Sequence, residues 1–192
     1  MVTKDKIICP KCNSEWEYIR LPLFILSGCS GIGKTTTAIE IMKLTRDVVV
    51  MDSDIFCGVQ NASSEEDYKR RIDTMEAISR NVNQSGKPCL WTVAGNLDML
   101  PDSYNASFFT DIYCLALVAK EETLRDHMVR GRKITDTAWI DGSVEYNEYF
   151  KTHNSIGKQS FDVLSIDGKT PGEVAKEVLW WIGSKLNKNT VD

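Results

Sequence analysis

This sequence predicts an α/β fold, a parallel sheet covered by helices on both faces, on three observations. Five short apolar runs that read as buried strands alternate with segments of helical periodicity. The first run leads at once into a glycine-rich loop and a helix. The second ends in two aspartates, at the carboxyl edge where open α/β sheets bind ligands.

The first strand is Leu23-Phe-Ile-Leu26, unbroken and apolar, as a strand buried on both faces is. After it, Gly28-Cys-Ser-Gly-Ile-Gly-Lys34-Thr35 reads as G-x-x-x-x-G-K-T, a phosphate-binding P-loop. Its glycines let backbone N–H groups converge on one concavity, and the following helix adds the positive end of its dipole. That helix puts Ala38, Ile41, Met42 and Thr45 on one face. The motif predicts a nucleoside triphosphate held by Gly28, Cys29, Ser30, Gly31, Ile32, Gly33, Lys34, Thr35 and Thr36. Lys34 reaches the β- and γ-phosphates, and the Thr35 hydroxyl ligates Mg²⁺.

The second strand, Val48–Met51, runs into Asp52-Ser-Asp54. A capping box at Ser63-Ser-Glu-Glu66 opens a helix with Tyr68, Ile72, Met75, Ile78 and Val82 inward, ending near Ser85-Gly86. Lys69, Arg70 and Arg71 read as its solvated face. A third strand, Cys89–Val93, leads to Ala94-Gly95-Asn96, and a fourth is Ile112–Val118. A helix over Glu121–Arg130, with Leu124 and Met128 inward, feeds the basic turn Arg130-Gly131-Arg132. The next helix starts near Thr135-Asp136 and carries Trp139, Ile140, Val144 and Phe150. The last strand is Phe161–Ile166. Thr170-Pro171-Gly-Glu173 caps a final helix with Val174, Val178, Trp181, Ile182 and Leu186 inward. The tail frays after Lys185. Trp139, Trp180 and Trp181 are expected in the core.

At 192 residues, with 42% hydrophobic and 26% charged residues, the chain suits one domain at 21–192 with a lid at about 130–137, behind an N-terminal extension at 1–20. The net charge of −4 argues against nucleic acid or an anionic membrane as partner. No membrane-length apolar run or signal-peptide core occurs, and the six cysteines are scattered, which fits a cytoplasmic protein with reduced thiols. Cys9-Pro-Lys-Cys12 has the spacing of a zinc knuckle but lacks two further ligands nearby. It reads as two ordinary thiols, with a site shared between subunits as the alternative. The expected partner is a small-molecule acceptor, and a homodimer is compatible with the chain.

Phosphoryl transfer to a hydroxyl needs Mg²⁺ across the terminal phosphates and a carboxylate that prepares the acceptor. Asp52 is assigned to the metal and Asp54 to the acceptor, with the reverse division left open. The third strand ends without an aspartate, which counts against motor ATPases, and no N-K-x-D motif marks a GTPase. Arg130 and Arg132 are expected to close over the transferring charge. Arg125 is read as structural and His127 as a non-catalytic helix residue. The acceptor pocket is expected between Asp52–Phe56, the helix at 64–84 and the loop at 95–100, near Phe56, Asn96 and Asp98.

Gly28–Thr35, Asp52-Ser53-Asp54 and the helix-to-lid stretch Glu122–Arg132 give a resemblance, over about residues 22–185, to small P-loop kinases of the nucleoside-monophosphate-kinase-like group. These include shikimate kinase, gluconate kinase and chloramphenicol phosphotransferase. Asp52-Ser-Asp54 resembles the D-[ST]-D element of shikimate kinases. The resemblance implies strand order 2-3-1-4-5, ATP as donor, and an adenine site near Ile166-Asp167-Gly168. The expected activity is ATP-dependent phosphorylation of a hydroxyl on a small metabolite or nucleoside-like acceptor. The alternatives are a nucleoside monophosphate kinase and a nucleotide-binding regulatory module without turnover.

Overall fold

A computed structural model describes residues 6–58 and 62–188. A two-stranded antiparallel hairpin, β1 (Lys6–Ile8) and β2 (Glu15–Glu17), precedes the main sheet. The chain then runs through β3 (Leu23–Ser27), α1 (Lys34–Leu44), β4 (Val49–Asp52), α2 (Glu65–Asn83), β5 (Cys89–Thr92) and β6 (Ile112–Val118). After these come α3 (Glu121–Asp126), α4 (Thr137–Thr152), β7 (Ser155–Ile156), β8 (Gln159–Ser165) and α5 (Pro171–Lys188).

The main sheet has the order β4-β5-β3-β6-β8-β7. Its first five strands are parallel, in the 2-3-1-4-5 arrangement that the resemblance implies. A sixth strand, β7, pairs antiparallel with β8 and corrects the expectation of a purely parallel sheet. The tight turn at Gly157 (φ 56°) folds β7 back on β8. A two-residue strand carries little hydrophobic signal.

β3 lies centrally, and every one of its residues is buried. Its alternation divides the core. Phe24 and Leu26 pack with Ile41, Leu117, Val178 and Trp181, while Leu23 and Ile25 pack with Met75, Trp91, Phe150 and Phe161. The first group joins α1 and α5 to the sheet; the second joins α2 and α4 to its other face. Phe24 meets Trp181 edge-on at 5.5 Å. Two further sequence expectations change. Trp139 and Trp180 are exposed, at 48% and 76%, and only Trp181 of the three is core. The α2 cap is Ser64 with Asp67, one residue on from the expected box.

The segment expected as one helix over 121–130 is α3 followed by a turn of π-helix, His127–Gly131. Such a bulge redirects the chain, often beside a functional site. Helix α5 continues to Lys188, past the expected fraying point, and residues 189–192 of the expected tail lie outside the described residues. No helix among the described residues is long and apolar enough to cross a membrane.

Candidate active site

The P-loop joins β3 to α1 at the carboxyl edge of the sheet. Gly28, Gly31 and Gly33 have φ of 135°, 79° and 102°, a region that side chains disfavour. A Cβ on Gly28 would stand 2.7 Å from the Leu117 carbonyl oxygen, and one on Gly31 would stand 2.5 Å from Met128 Cγ. At Gly33 a Cβ would meet nothing within 4 Å. The loop is thus pressed against β6 and the π-turn on one side and open on the other. Gly33 precedes α1 with no side-chain cap, so the first amides of α1 remain available to an anion.

Lys34 bridges this loop, donating 2.9 Å hydrogen bonds to the carbonyls of Gly28 and Cys29. Burial holds its ammonium below the ordinary lysine range. The Cys29 thiol is pushed up to about 11, again by burial, so it stays protonated and inert at neutral pH.

At the end of β4, Asp52 Oδ2 accepts a 2.8 Å hydrogen bond from the Thr35 hydroxyl, and Asp52 Oδ1 accepts one of 3.0 Å from the Asp54 backbone N–H. After Asp52 the chain enters a 3₁₀ turn, Ser53–Gly58, which breaks strand alternation. Asp52 turns to the P-loop, while Asp54 lines a cleft of about 150 Å³. A hydroxyl and a carboxylate at the mouth of an anion-binding loop form a hard oxygen donor set that suits Mg²⁺. The same loop, with its glycine cradle and buried lysine, fits a polyphosphate.

The cleft forms where the sequence placed the acceptor pocket. Phe56, Ile72, Met75 and Val93 are its apolar wall; Tyr68, Arg71 and Asn96 complete it. Phe56 stacks on Trp91 at 5.7 Å, and Trp91 donates to Ser79 on α2, so the wall is anchored in the core. Asp98 does not line this cleft.

The basic cluster on α2 divides. Lys69 pairs with Glu65 and Arg70 with Asp67 on the surface, as expected. Arg71 instead faces the cleft, with its guanidinium 5.9 Å from the Tyr68 ring. This corrects the expectation of a solvated face for Arg71, which shares one side of α2 with Tyr68, Ile72 and Met75.

The two lid arginines also separate. Arg132 donates a 2.8 Å hydrogen bond to Ser30 Oγ in the P-loop and lies 5.7 Å from the Trp139 ring. That contact gives the exposed Trp139 a place beside the site. Arg130 pairs with Asp126 at 3.0 Å, 83% exposed, and is not brought to the P-loop. Arg125 pairs with Glu121 and Asp141. Asp167, in the loop after β8, accepts from the Lys120 amide and the Thr123 hydroxyl and fixes the start of α3.

Sequence reasoning missed a buried carboxyl behind the cleft. Glu76 Oε2 accepts from Ser103 at 2.5 Å, and burial pushes Glu76 up to about 8. Asp73 shares the same hydroxyl and binds Asn105, tying α2 to the segment at 97–108.

No protein-family model matches the chain, and no curated protein matches it in sequence. Solved structures do match in fold. A gluconokinase from Sinorhizobium meliloti 1021 aligns with TM-score 0.60 at 13% identity, covering 89% of this chain and 97% of that one. The tunicamycin resistance protein of Deinococcus radiodurans aligns with TM-score 0.63 at 12% identity, over 85% of this chain and 96% of that one. A shikimate kinase from Acinetobacter baumannii, in complex with shikimate, aligns with TM-score 0.54 at 16% identity, over 87% and 96%. The chain has the fold of the small P-loop kinases.

Proposed function

We propose that this protein transfers the γ-phosphate of Mg·ATP to a hydroxyl group of a small acceptor bound in the cleft beside Asp54. One observation carries the reading: Asp52 faces the P-loop while Asp54, two residues on, faces the cleft. A donor site and an acceptor site then meet at one strand end, as in-line transfer requires. The kinase fold supports the same reading.

The P-loop amides and Lys34 hold and neutralise the donor phosphates, with Lys34 released from its two carbonyl partners to do so. Thr35 and Asp52 are the residues that would hold Mg²⁺, which would supply charge neutralisation for the transferring group. Asp54 accepts the proton of the acceptor hydroxyl as the new P–O bond forms and the bond from the γ-phosphorus to the β–γ bridging oxygen breaks, releasing ADP. Arg132, already on Ser30, offsets the charge of the transferring group. The apolar cleft wall excludes water and so disfavours hydrolysis.

Arg71 favours a second reading, in which the acceptor is anionic and the phosphorylated group is itself a phosphate. ADP release from Mg·ATP, measured against nucleosides, sugars, sugar acids, aminoglycosides and nucleoside monophosphates, tests both. Stimulation by a hydroxyl compound without phosphate supports the first reading, and stimulation only by monophosphates replaces it with the second. Absence of stimulation by any hydroxyl compound or monophosphate, with ATP still bound, counts against phosphoryl transfer.

A further inference from the structure

The N-terminal hairpin lies outside the sheet that builds the active site. Cys9 and Cys12 sit at its turn. The Cys9 N–H donates to the Ser14 carbonyl and the Asn13 N–H to the Cys9 carbonyl, both at 2.9 Å. Asn13, directly after the second cysteine, takes the left-handed conformation at φ 57° that closes the turn. This places both cysteines at one tight turn and leaves Cys12 exposed. The Ser14 hydroxyl stands 3.1 Å from the Cys12 sulfur and can donate to a thiolate there.

The hairpin also lacks a core of its own. Its strands are three residues each and pair only with one another, and no residue in either is fully buried. Two-stranded hairpins of this kind are marginal in water without a staple. Trp16, opposite Ile7 in the register, is 53% exposed, and Ile19 just beyond it is 45% exposed.

We propose that Cys9 and Cys12 are half of a thiolate zinc site, completed by the same two cysteines of a second copy of this chain. Structural zinc takes four ligands in tetrahedral geometry, and a C-x-x-C turn supplies two. Among the described residues no third cysteine, histidine or carboxylate joins the pair. A two-fold axis through the metal supplies the missing pair by repeating the one present. Each thiol loses its proton to solvent as its sulfur binds the metal, and no oxidant enters.

The test is metal content and molar mass of the full chain, purified without chelator and supplied with Zn²⁺. The expected result is about half a zinc per chain in a dimer. The Cys9→Ser/Cys12→Ser double variant should lose the zinc and halve the molar mass. It should still bind ATP, which shows that the main fold is intact. Co²⁺ in place of zinc should give the strong thiolate charge-transfer absorption of a four-sulfur site. A metal-free wild type, one zinc held by a monomer, or a dimer that survives the double variant overturns the proposal.

Discussion

The Thr35 hydroxyl donates a 2.8 Å hydrogen bond to Asp52 Oδ2, which joins the first turn of α1 to the end of β4. These residues are 17 positions apart, and under the proposed function both would hold the metal. Because they act on one ligand, their loss should not be additive. Thr35→Ala and Asp52→Asn should each weaken Mg²⁺-dependent turnover on the order of tenfold or more, with the double variant little worse than the poorer single one. Turnover as a function of Mg²⁺ concentration checks this, and Thr35→Ser should retain most activity.

Lys34 and Arg132 should matter more than Arg130. Lys34 is buried on the loop carbonyls and Arg132 is bonded to Ser30, whereas Arg130 pairs with Asp126 in solvent. Lys34→Ala and Arg132→Ala should each lower kcat by roughly tenfold or more, and Arg130→Ala by less than about threefold. Steady-state kinetics of the three variants separate them.

Glu76 gives the fold a pH dependence with a definite sign. Its folded-state value of about 8 lies above the ordinary glutamate value of 4.5, because burial disfavours the charged form. The folded protein therefore holds a proton that the unfolded chain gives up between those values. The stabilisation is fully present below about 4.5 and is lost as pH rises through about 8. The loss is on the order of a few kcal/mol across that window. Glu76→Gln keeps an acceptor for Ser103 and should flatten the slope and raise the stability at pH 9, read by urea denaturation at several pH values.

The P-loop glycines should rank by what surrounds them. Gly28→Ala drives a Cβ to 2.7 Å from the fixed Leu117 carbonyl at φ 135°, whereas Gly33→Ala meets open space at φ 102°. Gly28→Ala should cost about 2–4 kcal/mol and Gly33→Ala about 1 kcal/mol of stability. Thermal melts of the ligand-free variants give the order.

The parts of the fold legible in the sequence are those with long-range consequences for local pattern. The run Leu23–Leu26 is apolar at every position because both faces are covered, and the loop needs glycines because its dihedrals exclude side chains. What stayed hidden depends on contacts between distant segments. Arg71 and Lys69 belong to one charged run, and only the packing of α2 over the turn at 53–58 sends one to the cleft and one to solvent. Arg130 and Arg132 look equivalent in sequence, but the π-turn rotates them apart. Trp139 read as core because it is large and apolar, yet it lies beside a guanidinium. A three-residue strand such as β1 falls below what periodicity can signal.

The most direct test of phosphoryl transfer follows the label. Incubation with [γ-³²P]ATP, Mg²⁺ and the acceptor panel, with products separated by chromatography, shows where the phosphate goes. Phosphoryl transfer predicts the label on an organic hydroxyl compound, with transfer reduced at least about tenfold in Asp54→Asn and ATP binding retained. Label found only as inorganic phosphate, or left on ATP with every acceptor, would contradict it.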